Sequence, residues 1–187
     1  GRFCGIPSNL MKCQECYKKK GFDREYGATI LDYRSKWEAL FGEEADVVCF
    51  SVSSEELLTR AFPQIARVIV SPHAVRPLPK VKTNGYNHDE IRIGIIGRMC
   101  EHKGASIVKS IAEHSRAAGI SVVLFGDFED GQKPDGIKVI GEYQRDELSN
   151  LVQSEEIDVI FFPSICPETF SFTCSEAISC LLYTSDA

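Results

Sequence analysis

The spacing of apolar residues changes along this chain, and the change divides it. From residue 91 onward they come in short continuous runs alternating with segments of helical period. Residues 91–97 are β-branched and end in Gly, 120–126 are almost wholly apolar, 137–141 are shorter, and 157–162 are again continuous. Between these runs, 105–118 places Ile107, Val108, Ile111 and Ala112 on one stripe, and 145–154 does the same with Leu148, Leu151 and Val152. Spacings of three and four residues bring side chains to one helix face. A further helix is expected to begin shortly after Glu168. Strands that are apolar throughout, interleaved with helices, predict a parallel sheet covered on both faces.

Residues 1–77 have another texture. An irregular stretch containing Cys and Lys opens the chain, followed by a helix at 33–41 and a strand at 46–51. A helix at 54–62 follows, with Ser53 or Ser54 as N-cap and Pro63 just past its end. A strand at 67–70 then runs into Ser71-Pro72-His73. Residues 76–90 are rich in Pro, Asn, Gly and charge, the composition of a linker. The fold class is therefore α/β, a Rossmann-like parallel sheet preceded by the end of a second α/β domain. The division is 1–77 for the first domain, 78–90 for the linker, 91–180 for the second domain and 181–187 for a tail foreign to the fold. The opening Gly1-Arg2-Phe3-Cys4 reads as an internal cut, because it has neither an initiator Met nor the apolar run of a signal peptide. The expectation is a piece truncated at both ends.

A length of 187 residues suits one domain, or one domain and part of another. With 43% hydrophobic and 26% charged residues the composition is globular, and disordered or fibrous classes fit poorly. A net charge of −6 argues against a dedicated nucleic-acid binder. A phosphate site, by contrast, needs only two or three well-placed cations. No run approaches the roughly 18 apolar residues that span a bilayer, and the cytoplasm is the expected compartment. The eight cysteines lie in a chain with enough apolar residues to build a core without staples, so free thiols are the simpler reading. Cys13-x2-Cys16 has the spacing of half a structural zinc site, with Cys4 as a third ligand and Cys49 as a fourth; free thiols or a local disulfide are preferred to that set. The run Lys18-Lys19-Lys20 reads as solvated charge, with peripheral contact to an anionic membrane surface as the alternative. His73 reads equally as a residue of an interdomain cleft or as a structural hinge histidine.

In an open parallel sheet, ligands bind beyond the C-terminal strand ends. After the first strand of the second domain comes Gly97-Arg98-Met99-Cys100-Glu101-His102-Lys103-Gly104, opening a helix. Glycines that let backbone approach a phosphate, a helix start that favours anions, and the cations Arg98 and Lys103 together suit a diphosphate. The competing reading is a tight turn with solvated charges. Neither GxGxxG nor a Walker A motif occurs, so a dinucleotide site or P-loop is not indicated. After the last strand, Glu168 and Glu176 stand eight positions apart, about 12 Å along a helix. That is too far for a close acid/base pair, but suits hydroxyls on different parts of one long ligand. Thr173 and Glu176 also satisfy the capping-box pattern, which offers a purely structural reading of Glu176.

Taken together, the Gly-Arg-x4-Lys-Gly element and the Glu-x7-Glu element about seventy residues later resemble the donor-binding half of retaining GT-B glycosyltransferases. The nearest group contains sucrose and glycogen synthases and many bacterial polysaccharide transferases. Pro163-Ser164, then Pro167-Glu168-Thr169-Phe170-Ser171, match its Pro-Ser-x-x-Glu-x-Phe-Gly pattern, departing at Ser171 where Gly is usual. Pro-Glu-Thr-Phe-Ser-Phe-Thr resembles a bacterial subgroup linked to rhamnan and other cell-surface polysaccharides. Phe3-Cys4-Gly5, Cys13-x2-Cys16, Tyr33-Arg34, Ala45-Asp46-Val47-Val48, Phe62-Pro63 and Pro72-His73 resemble the end of that subgroup's acceptor-side domain. The similarity covers roughly residues 3–180.

The resemblance implies that Gly97, Arg98 and Lys103 bind the donor diphosphate and that the two cations stabilise charge on the leaving group. It implies that Glu168 contacts the donor sugar, that backbone N–H groups at Phe170 and Ser171 meet phosphate, and that Glu176 holds the ribose hydroxyls. Arg98, Lys103 and Glu168 are then the catalytic residues. A nucleotide-diphosphate sugar is the donor, no cofactor or metal is required, and a glycan or lipid-linked molecule is the acceptor. The expected role is transfer with retention in cell-surface polysaccharide biosynthesis at the inner membrane face. The alternatives are a noncatalytic nucleotide-sugar-binding module and, less well matched, a nucleotide-sugar epimerase.

Overall fold

The computed structural model describes residues 3–7, 9–42, 45–81 and 89–180. Residues 181–187, read as a foreign tail, and 82–88 of the expected linker lie outside the described residues. Two compact units emerge: 3–73 with 167–170, and 74–166 with the residues from 171 onward.

In the first unit the opening Cys- and Lys-containing stretch is a helix, α1 (Leu10–Lys19), not irregular chain. Asn9 caps it, accepting from the Met11 N–H at 2.9 Å. Its only buried side chain is Tyr17. Helix α2 (Ile30–Phe41) starts ahead of the expected position 33 because Thr29 and Asp32 form a reciprocal capping box, both bonds 3.0 Å long. Strand β1 (Asp46–Cys49), helix α3 (Val52–Ala61) and strand β2 (Arg67–Val70) complete a β–α–β segment. Strands β1 and β2 pair in parallel, from Asp46 opposite Arg67 to Cys49 opposite Val70. Ser51, rather than Ser53 or Ser54, caps α3, accepting from the Ser54 N–H at 3.2 Å. Tyr17, Tyr33, Trp37, Phe41 and Phe62 form a chain of ring contacts with centroids 5.2–6.3 Å apart. Positions 33, 37 and 41 supply one rung per helical turn.

The second unit carries β3 (Ile91–Ile96), α4 (Ala105–Ser115), β4 (Ile120–Phe125), β5 (Ile137–Val139), α5 (Leu148–Ser154), β6 (Val159–Ile160) and α6 (Phe172–Cys180). Among the described residues its sheet has the order β5-β4-β3-β6, every pair parallel. This is the Rossmann-like α/β arrangement expected from the sequence. The chain order runs outward from β3 to β4 and β5, then returns to the other side of β3 as β6. The order reverses between β3 and β6, the kind of position beyond whose strand ends such sheets bind ligands.

Adjacent residues on each strand feed opposite faces. Ile95, Val122 and Leu124 pack with Val108 of α4, whereas Ile96, Val123 and Phe125 pack with Leu148 and Val152 of α5 and Ala177 of α6. Ile95, Leu124, Phe125 and Leu148 are wholly inaccessible to solvent. Complete burial of such side chains is worth about 1.5–3 kcal/mol each before entropy is counted.

Several expected bounds move. The 105–118 helix is α-helical to Ser115 and ends in a 3-10 turn, Arg116–Ala118. The 145–154 helix opens with a 3-10 turn, Arg145–Glu147, before α5. The 157–162 strand pairs formally only at Val159 and Ile160, although Ile157 is buried and the Phe161 N–H still donates to the Gly94 carbonyl at 2.8 Å. Within the stretch read as a linker, Leu78 and Val81 belong to the core of this unit. The Val81 N–H donates to the Cys180 carbonyl at 2.7 Å, and the Ser149 hydroxyl to the Pro79 carbonyl at 2.7 Å. An extended segment thus lies along α5 and α6.

Candidate functional site

The loop after β3 is held open by two glycine contacts. At Gly126 a Cβ would stand 2.2 Å from the Gly97 carbonyl oxygen, and at Gly104 one would stand 2.1 Å from the Pro163 carbonyl oxygen. Both glycines have positive φ, 137° and 82°. They let the loop after β3 lie directly on the loops that follow β4 and β6. Backbone bonds reinforce each contact: the Met99 N–H donates to the Asp127 carbonyl at 2.7 Å, and the Ile165 N–H donates to the His102 carbonyl at 3.1 Å. The loop after β6, from Pro163 to Ile165, therefore lies against the cationic loop.

Arg98 is exposed and Lys103, which ends a 3-10 turn (Glu101–Lys103), is half-buried. Among the described residues neither makes an ion pair. Two cations without carboxylate partners, at the N-terminus of α4, favour an anionic ligand.

At the C-terminal ends of β3 and β4 lies a cavity of about 530 Å³. Gly97 and Arg98, Phe125 to Phe128, and Glu142, Tyr143, Gln144 and Glu147 line it. Apart from Arg98 the charged lining is acidic, so the anionic end of a bound molecule is directed to the Arg98 side. Burial, and then the charge of Glu176, push the Tyr143 phenol up to about 12. It stays protonated at neutral pH and remains a hydrogen-bond donor.

Glu176 does not close a capping box with Thr173. The Ser171 hydroxyl accepts from the Cys174 N–H at 3.4 Å, which makes Ser171 the cap of α6 and leaves Glu176 in the second turn. The Glu176 carboxylate, 13% exposed, instead accepts from Arg145 Nε at 2.6 Å. Arg145 also donates to the Arg76 carbonyl. Sequence reasoning missed Tyr143 and Arg145 because residue 145 was read as the interior start of a helix. The signal that finds them is the strand-end rule applied to the loop after β5, beyond Gly141.

The remaining two candidates fall in the first unit. There Phe170 meets the His73 ring edge-on at 5.2 Å, while His73 stacks on Phe50 at 3.9 Å. Glu168, with Pro167 and Thr169, lines a cavity of about 280 Å³ against Ser54, Leu57, Leu58 and Ala61 of α3. The Ser54 hydroxyl donates to the Thr169 carbonyl at 3.4 Å.

Among the described residues no cysteine is joined in a disulfide. Among the described residues, no group of three His, Cys, Asp or Glu side chains is placed to hold a metal ion, so Cys4, Cys13 and Cys16 do not converge on one. Nor is any helix there long and apolar enough to cross a membrane.

Neither a protein-family model nor a curated protein matches the sequence. Among solved structures the chain is similar to the pneumococcal O-GlcNAc transferase GtfA, determined as a complex with UDP and GlcNAc, at a TM-score of 0.51 and 16% identity. The similarity covers 72% of this chain and 28% of that one, so the chain spans less than a third of its neighbour's length. At this identity the shared property is the fold alone, a mixed α/β arrangement with parallel sheets consistent with a Rossmann-like half of a GT-B fold.

Proposed function

We propose that the chain carries the donor-binding half of a glycosyltransferase that transfers a sugar, with retention, from a nucleotide-diphosphate sugar to a glycan or lipid-linked acceptor. The observation that carries this reading is the cavity at the C-terminal edge of the sheet, with the unpaired cations Arg98 and Lys103 on the loop after β3. A fold shared with a transferase determined with UDP and GlcNAc supports the same ligand class. The biological setting we assign is cell-surface polysaccharide assembly at the cytoplasmic face of the membrane.

In this reading Arg98 and Lys103 bind the diphosphate, which carries the anionic charge of the donor. As the bond from the anomeric carbon to the diphosphate oxygen breaks, charge grows on that oxygen, and preorganised cations lower the barrier most where charge develops. The acceptor oxygen bonds to the anomeric carbon on the face the diphosphate leaves, and its proton passes to the departing phosphate oxygen. Atoms and charge balance without a protein base or a metal. Glu168 contacts the donor sugar, N–H groups at Phe170 and Ser171 meet phosphate, and Glu176 accepts from the ribose hydroxyls.

The test is a transfer assay with UDP- and GDP-sugars and a panel of glycan and lipid-linked acceptors, with and without EDTA. Acceptor-dependent release of nucleoside diphosphate, undiminished by the chelator and giving a product with the donor's anomeric configuration, is expected. Nucleotide binding without turnover would instead support a noncatalytic module. Conversion of the sugar without an acceptor would indicate an epimerase.

A further inference from the structure

The first unit holds a hollow of its own, of about 470 Å³, lined by Glu25, Tyr26, Tyr33, Lys36 and Trp37. Three of these come from α2, where spacings of three and four residues bring positions 33, 36 and 37 to one face. The other two lie on the loop that follows a 3-10 turn, Phe22–Arg24. That loop is tied down at three points. The Tyr17 hydroxyl donates to the Gly27 carbonyl at 3.1 Å, Lys36 Nζ to the Tyr26 carbonyl at 3.2 Å, and the Ile30 N–H to Gln14 Oε1 at 2.7 Å. Gly27, with φ of 121°, permits the turn between them. The hollow is therefore preformed, and a ligand need not order its walls.

Its rings stand at angles to one another. Tyr26 meets Tyr33 at 73° and Tyr33 meets Trp37 at 65°, with centroids 6.0 and 6.3 Å apart. Rings so disposed make a corner, not the parallel slot that would sandwich a flat nucleobase. Tyr26 and Trp37 stay 43% and 41% exposed, although large aromatic side chains gain much from burial. Exposed apolar surface rimmed by polar groups marks a ligand site. The two charges in the lining, Glu25 and Lys36, are of opposite sign, so together they complement a neutral molecule that both donates and accepts hydrogen bonds. Hydroxyl groups do both. A quaternary ammonium, another guest of aromatic cages, would meet the Lys36 charge.

We infer that this corner is a glycan-binding site, in which Tyr26 and Trp37 stack on the C–H face of a neutral pyranose while Glu25 accepts from its hydroxyls and Lys36 donates to them. A β-linked gluco-configured ring suits it, because equatorial hydroxyls leave axial C–H groups on both faces and place the polar groups at the periphery. The site goes beyond the nucleotide-sugar reading, since none of its residues lines the sheet-edge cavity.

Trp37 is the one tryptophan of the chain, so tryptophan fluorescence reports this corner directly. Cellotetraose and N-acetylchitotetraose, titrated separately onto the full chain, are the probes. A saturable change in emission is expected with at least one of them. Tyr26→Ala, which keeps the reporter, should raise the dissociation constant about tenfold or more. Should circular dichroism show that Tyr26→Ala does not fold, Glu25→Gln, an exposed side chain outside the ring contacts, should raise it about threefold or more. No saturable change with either saccharide would overturn the glycan site and leave the nucleotide reading standing. Unchanged affinity in the folded variant, or a response to tetramethylammonium that neither saccharide gives, would do the same. Saccharide binding by a chain that binds no nucleoside diphosphate would support this site and count against the other reading.

Discussion

Tyr143 is the residue whose titration is most open to measurement. Its phenol is shifted from 10.0 up to about 12, first by burial and then by the charge of Glu176. The sign of the effect on stability follows from which state holds the proton. Between pH 10 and 12 the unfolded phenol has lost its proton while the folded one retains it. The unfolded state then binds fewer protons, so stability falls as pH rises through that window. Below pH 10 the contribution is fully present. Urea melts between pH 9 and 12 are expected to show an alkaline loss of stability that Tyr143→Phe diminishes; an unchanged pH profile in the variant would show that another group is responsible.

At the scale of elements, the loops at the sheet edge are set by close backbone approaches. Gly104 is buried, has φ of 82°, and would bring a Cβ to 2.1 Å from the Pro163 carbonyl. Gly104→Ala must therefore separate the loop after β3 from the loop after β6, and strained backbone adds to that cost. A destabilisation of about 2–4 kcal/mol is expected in denaturant unfolding. A change below about 0.5 kcal/mol would mean that the two loops are not in contact. Much of this level was legible beforehand. The continuous runs at 91–97 and 120–126 announced β3 and β4, because a strand buried on both faces leaves no room for alternation. Helix α1 was not legible, because Lys12, Gln14, Glu15, Lys18 and Lys19 are interspersed with its apolar residues, of which only Tyr17 is buried. The Thr173–Glu176 pattern misled for a related reason: a short-range match cannot show that Ser171 caps the helix or that Arg145, thirty-one positions away, holds the carboxylate. Loops at strand ends could be listed as candidates from the sequence, whereas the pairing of Glu176 with Arg145 required the fold.

For the molecule as a whole, the sheet order β5-β4-β3-β6 decides where chemistry is possible. The C-terminal edge beside β3 holds a cavity lined by Arg98, and Lys103 follows on the same loop, neither of the two in an ion pair among the described residues. A net charge of −6 makes such a cationic loop conspicuous, since nonspecific attraction of polyanions is suppressed elsewhere. The unit that contains Glu168 and Phe170 is built differently, around parallel β1 and β2 and the aromatic chain running from Tyr17 to Phe62.

The central claim is that a nucleoside diphosphate binds through Arg98 and Lys103, and calorimetry with a paired variant tests it most directly. UDP or GDP titrated onto the chain should give saturable binding. Hydrogen bonds to charged groups are worth about 1.5–3 kcal/mol each, so Arg98→Ala combined with Lys103→Ala should weaken that binding by about two orders of magnitude while leaving the circular dichroism spectrum unchanged. Binding of the same strength in the double variant, or no binding of either nucleotide to the unaltered chain, would contradict the account.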